Sequence, residues 1–114
     1  MKNVNEYMLI FRLNPQSIQL SEEEIESINQ GWGPYFGNLA ISEKLVSTHR
    51  LDFEGQLLSA DSSSSEGLYL SNGELVTGNL IVKAETKEEA LEIAKGSPIL
   101  QMGGNVEIRK ILPM

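Results

Sequence analysis

A chain of 114 residues fits one domain, residues 1–114, with a core of limited size. Nine Lys and Arg against sixteen Asp and Glu give a net charge of −7, whose field repels nucleic-acid phosphates and anionic membrane surfaces. The absence of cysteine excludes disulfides, thiolate nucleophiles and thiolate metal sites, the single histidine argues against zinc, and no cofactor is called for.

The opening MKNVNEYMLIFRL has one Lys and only a short apolar run, residues 7–11, so it is not expected to act as a signal peptide. No segment approaches the roughly twenty apolar residues of a membrane span. These features lead to the expectation of a soluble, cytoplasmic protein.

Residues 6–13 predict a strand that is apolar on both faces, with Tyr7, Leu9, Phe11 and Leu13 on one side and Met8 and Ile10 on the other. Asn14 and Pro15 break it. Ser21 and Glu24 form a capping box that opens a helix, and Ile25, Ile28, Trp32, Tyr35 or Phe36, and Leu39 recur at helical spacing. Pro34 crowds the preceding turn, which predicts a kink near residues 29–31 or two shorter helices.

Strands are expected over 45–51 and 56–60, joined by a turn at Glu54 and Gly55. The serine-rich stretch 61–67 reads as a solvated loop. Asn72-Gly73 marks a type I′ hairpin between 68–71 and 74–77, followed by a buried strand over 80–84. Thr86 predicts an N-cap with Glu89 reaching back to it, Gly96 and Pro98 end that helix, and 105–112 form the last strand. The order strand, helix, strands, helix, strand predicts an α+β fold: a ferredoxin-like antiparallel sheet with two helices on one face. Met8, Ile10 and the run 80–82 then imply that the second face is partly dry, and a self-complementary homodimer would cover it.

EYMLIFR at the start, GWGPYFGNLAISEKLVSTHRL in the middle and EEALEIAKGSPILQMGGNVEIRKI at the end together resemble the YCII-related family, over almost the whole chain. The resemblance implies a small homodimeric protein with a dimeric α+β barrel; many such proteins have no assigned activity. The nearest branch carries an Asp-Gly-Pro-Phe motif after a hairpin. Here NGELV runs directly into TGNLIVKA, so that loop is missing and its Asp has no carrier. Some smaller relatives are proposed to use a His and Asp pair with the His on the first helix, where this chain offers Trp32 and Tyr35. The resemblance hands over no catalytic pair.

The candidate site residues divide by chemistry. His49 is the only histidine and suits general acid or base work, or stands as a bystander facing solvent. Arg12 and Arg109 offer planar forks for a carboxylate, although Arg109 has Glu107 or solvent as an alternative partner. Trp32 and Tyr35 either present ring edges to a pocket or pack in the core. The carboxylates at 22–24 and 26 lie where a helix dipole favours them, and Gly103-Gly104 reads as a turn. Two functions follow: a homodimeric module binding a small anionic or aromatic metabolite without chemistry, and a cofactor-free lyase or isomerase using His49 for proton transfer. No metal, nucleic acid or membrane partner is expected.

Overall fold

A computed structural model of the protein describes residues 4–113. β1 (Asn5–Leu13) buries Tyr7, Leu9, Phe11 and Leu13 and half-buries Met8, Ile10 and Arg12 on the opposite face. The broken helix is two helices, α1 (Glu22–Asn29) and α2 (Trp32–Ile41), with Gly31 between them and Pro34 in the first turn of α2. The capping box on α1 is complete: the Ser21 hydroxyl accepts from the Glu24 amide while the Glu24 carboxylate accepts from the Ser21 amide.

β2 (Leu45–Arg50), β3 (Gln56–Leu58), β4 (Ser64–Glu66) and β5 (Leu75–Ala84) follow, then α3 (Lys87–Lys95) and β6 (Asn105–Lys110). Two expectations are corrected here. Part of the serine run is strand: Ser64, Ser65 and Glu66 pair with Leu58, Leu57 and Gln56, because pairing uses the backbone N–H and C=O that every residue but proline carries, whatever its side chain. The expected hairpin shrinks to its turn: Asn72 and Gly73, both at positive φ, sit between a single bridge of Ser71 with Glu74, residues 68–70 are not strand, and one long strand then runs through Gly78 without a break. At α3, Thr86 caps the Glu89 amide as expected. The Glu89 carboxylate, however, accepts from the Glu85 amide and pairs with Lys44 at 3.4 Å.

Among the described residues, β2, β5, β1 and β6 form a four-stranded sheet in that order with every neighbouring pair antiparallel, and β3 and β4 form a separate two-stranded ribbon. Leu9 and Leu80 face each other in this sheet and are fully buried, under Leu39 of α2 and Ala90 and Ala94 of α3. All of this burial is on one face. Among the described residues no helix lies over the opposite face. The body measures 48 × 42 × 19 Å, and the thin dimension suits one layer of helices on one sheet, spaced about 10 Å apart.

Two register shifts set which side chains look which way. One lies between Phe11 and Arg12, where Thr77 is the extra residue of β5. The other lies between Leu45 and Ser47, where Val46 is the extra residue of β2: Leu45 pairs with buried Val82, whereas Ser47 pairs with Ile81 on the uncovered face.

Candidate functional site

The uncovered sheet face gathers three of the residues singled out by their chemistry. Successive side chains of a strand point to opposite faces, so Met8, Ile10 and Arg12 of β1 share the face that Leu9 and Phe11 do not. Across the ladder, Met8 pairs with Arg109 and Ile81, and Ile10 pairs with Glu107 and Asn79, which in turn pairs with His49. Arg12, His49 and Arg109 therefore stand on one surface around a strip made by Met8, Ile10 and Ile81.

Their spacing follows from the lattice of the sheet. Arg12 and Arg109 sit on adjacent strands but four residues apart along them, so their Cα atoms are about 14 Å from each other. His49 lies two strands from Arg12, about 12 Å away by the same lattice. At these separations the two guanidinium groups would have to extend toward each other along the face to share one carboxylate. A ligand with groups on two sides, or a site closed from above, can reach both guanidinium groups.

Each polar group is held differently. Arg12 Nη2 donates to Glu107 Oε1 at 3.1 Å, so Glu107 is the partner of Arg12 and not of Arg109. The reason is diagonal geometry: Glu107 faces Ile10, and a long side chain two residues along the neighbouring strand reaches it. Arg109 is exposed and makes no side-chain hydrogen bond or ion pair among the described residues. His49 Nδ1 lies 3.0 Å from Asn79 Oδ1, an oxygen that can only accept, so the contact is a hydrogen bond when Nδ1 carries a proton.

Trp32 and Tyr35 are placed on the other side of the sheet. The Trp32 ring packs edge-on to Phe11 at 5.2 Å and stacks on Phe36 at 5.3 Å, within the core beneath α2. The Tyr35 hydroxyl donates to the Ile93 carbonyl at 2.7 Å, and burial pushes its pKa up to about 12. The sheet itself separates both aromatics from Arg12. Asn79 and Glu107, which orient His49 and Arg12, carry no sequence signal beyond their parity in a strand.

Away from this face, a shallow solvent-open depression of about 320 Å³ is lined by Arg50, Leu51, Asp52 and Phe53. Among the described residues no three His, Asp or Glu side chains are gathered as a metal-binding group, and no helix is long and apolar enough to cross a membrane. No protein-family model matches the chain, and no curated protein matches it.

Proposed function

We propose that the chain is a homodimeric small-metabolite-binding protein of the YCII-related type, with a ferredoxin-like sheet that pairs face to face with a second copy as a dimeric α+β barrel. The observation that carries this reading is the uncovered face, where Met8, Ile10 and Ile81 form an apolar strip framed by Arg12, His49 and Arg109. An apolar centre with a polar rim is the anatomy of a protein interface, and two such faces stacked about 10 Å apart leave room for a small anionic or aromatic ligand between them. The strand order supports it too: with β3 and β4 set aside, the remaining strands follow the βαββαβ succession and lie in the order 2-3-1-4 of the ferredoxin-like arrangement.

A second reading has its own support. The contact of His49 Nδ1 with Asn79 steadies the ring on the exposed face, and an imidazole there suits the proton transfer that a lyase or isomerase without cofactor requires. In that version Arg12 or Arg109 holds the developing anion.

One experiment separates them. Small carboxylates and enolisable ring compounds are screened by thermal shift against wild type, Arg12→Ala, Arg109→Ala and His49→Ala, since a ligand that binds only the folded protein raises Tm with its concentration over Kd. Binding lost in the arginine variants and kept in His49→Ala supports the binding module. Turnover that vanishes with His49→Ala supports the enzyme. Binding unchanged in all three variants rejects this face as the site.

A further inference from the structure

Asn72 and Gly73 form the exposed tip of the turn that leads into β5. Asn72 is also the only asparagine of the chain that a glycine follows. Two groups that can react with each other are both unoccupied there: among the described residues, neither the Asn72 carboxamide nor the Gly73 N–H makes a hydrogen bond. Little holds the turn closed. Ser71 and Glu74 exchange two backbone bonds of 2.9 Å in one isolated bridge, and residues 68–70 do not extend it into a ladder. Nor can the glycine give way to a shielding side chain. Gly73 has φ 79°, and a Cβ on it would lie 2.8 Å from Asn14 Nδ2, whose own carboxamide oxygen is held by the Gln16 amide.

We propose that Asn72 is a site of spontaneous deamidation in the folded protein, with Gly73 N as the nucleophile and water as the co-reactant. A turn closed by one bridge opens locally, and rotation about the Asn72 Cα–C bond then brings Gly73 N beside Asn72 Cγ, with no Cβ on the glycine to obstruct it. Gly73 N gives its proton to hydroxide and bonds to Cγ. The bond from Cγ to the amide nitrogen breaks, that nitrogen takes a proton from water and leaves as ammonia, and a five-membered succinimide is closed. Water adds to either carbonyl of the ring and opens it, leaving aspartate, or isoaspartate with the main chain routed through Cβ and Cγ. Both products set a carboxylate beside Glu74 in a chain already at a net charge of −7. Isoaspartate also lengthens the main chain by one carbon, which takes Ser71 and Glu74 out of the two-residue spacing that their bridge uses.

The test is peptide mapping by mass spectrometry on the folded protein kept in mildly alkaline buffer. Asn72 is expected to convert about tenfold or more faster than any other asparagine, since only its neighbour lacks a Cβ, and the rate should rise with pH. Both aspartate and isoaspartate are expected at position 72, the second read by methyl transfer from S-adenosylmethionine with an added isoaspartyl methyltransferase as the probe. Hydroxylamine present during the incubation should intercept the ring and cut the chain between residues 72 and 73. Asn72→Gln, whose ring needs one more member, should lose all of these signals. An Asn72 that stays intact in the folded protein while the urea-unfolded chain converts shows that the turn protects the pair, and overturns the proposal. Aspartate alone, with neither isoaspartate nor hydroxylamine cleavage, removes Gly73 N as the nucleophile and overturns it too. Another asparagine converting first overturns the choice of site.

Discussion

The Tyr35 hydroxyl donates a 2.7 Å hydrogen bond to the backbone carbonyl of Ile93, tying α2 to the last turn of α3 across the top of the core. The bond uses a carbonyl near the end of a helix, where intrahelical donors run out.

Tyr35→Phe keeps the ring and removes the donor, and should cost about 1 kcal/mol in chemical denaturation. The raised pKa adds a pH signature. Between the ordinary tyrosine value near pH 10 and the folded value of about 12, the unfolded chain loses this proton while the folded chain keeps it. Stability therefore falls as pH rises through that window. Absorbance titration should show a tyrosinate component near pH 12 that is missing from Tyr35→Phe, and the variant should lose less stability over the same window.

Ser21→Ala should destabilise the protein by about 1 kcal/mol, as loss of an N-cap usually does. α1 has no fully buried side chain, so its first turn depends on the cap. Amide exchange should rise in α1 while α3 stays protected; equal loosening of both helices would show that α1 is held by packing instead.

Gly78→Ala tests the approach of β2 to β5. A Cβ there would sit 2.5 Å from the His49 carbonyl oxygen, which is backbone and cannot swing away. A cost of about 1–3 kcal/mol is expected from such overpacking, read by thermal melting, together with a shifted His49 ring resonance in NMR spectra. An unshifted resonance would show that the strain is absorbed away from His49.

Asp61→Ala should fray the tip of the loop between β3 and β4 and leave the global unfolding midpoint unchanged. The Asp61 carboxylate accepts from the Ser63 hydroxyl at 2.6 Å and its amide at 2.9 Å, and these bonds hold the carboxyl below the usual carboxylate range. Their contribution is present above the ordinary carboxylate pKa of about 3.9 and is lost as pH falls through the lower, folded value. Hydrogen exchange at Ser59 and Ser62 should therefore speed up in the variant at neutral pH, and in wild type only on acidification.

Much of this architecture is legible in local chemistry. Ser21, Pro34 and Thr86 each have one dominant backbone consequence, and each helix boundary appears where that consequence puts it, whereas Asn72-Gly73 makes its turn with only Ser71 and Glu74 paired beside it. Alternation in β1 likewise announces two faces, both of which matter. The pairing of Ser64–Glu66 left no such trace, because every residue of that strand is exposed and its order comes from backbone bonds alone. The candidate site was legible in its residue types but not in its grouping. Trp32, Tyr35 and Arg12 are equally conspicuous in the sequence, and only the sheet between them decides that the aromatics join the core while the arginine faces outward. The choice of Glu107 by Arg12 over Arg109 depends on a diagonal across two strands, a relation between residues far apart in the chain.

The bulge at Val46 makes the address of the only histidine a matter of counting. A strand has two sides, so one inserted residue is an odd step that exchanges every side chain beyond it. Leu45 faces the helices and His49, four residues on, faces away, which an unbroken strand forbids. Pairing the same residues without the bulge would set Val46 opposite Ile81, turn Ser47 and His49 inward and part His49 from Asn79. A chain without Val46 would keep Leu45 opposite Val82 and Ser47 opposite Ile81, and so keep both the fold and the histidine on the uncovered face, now without a bulge.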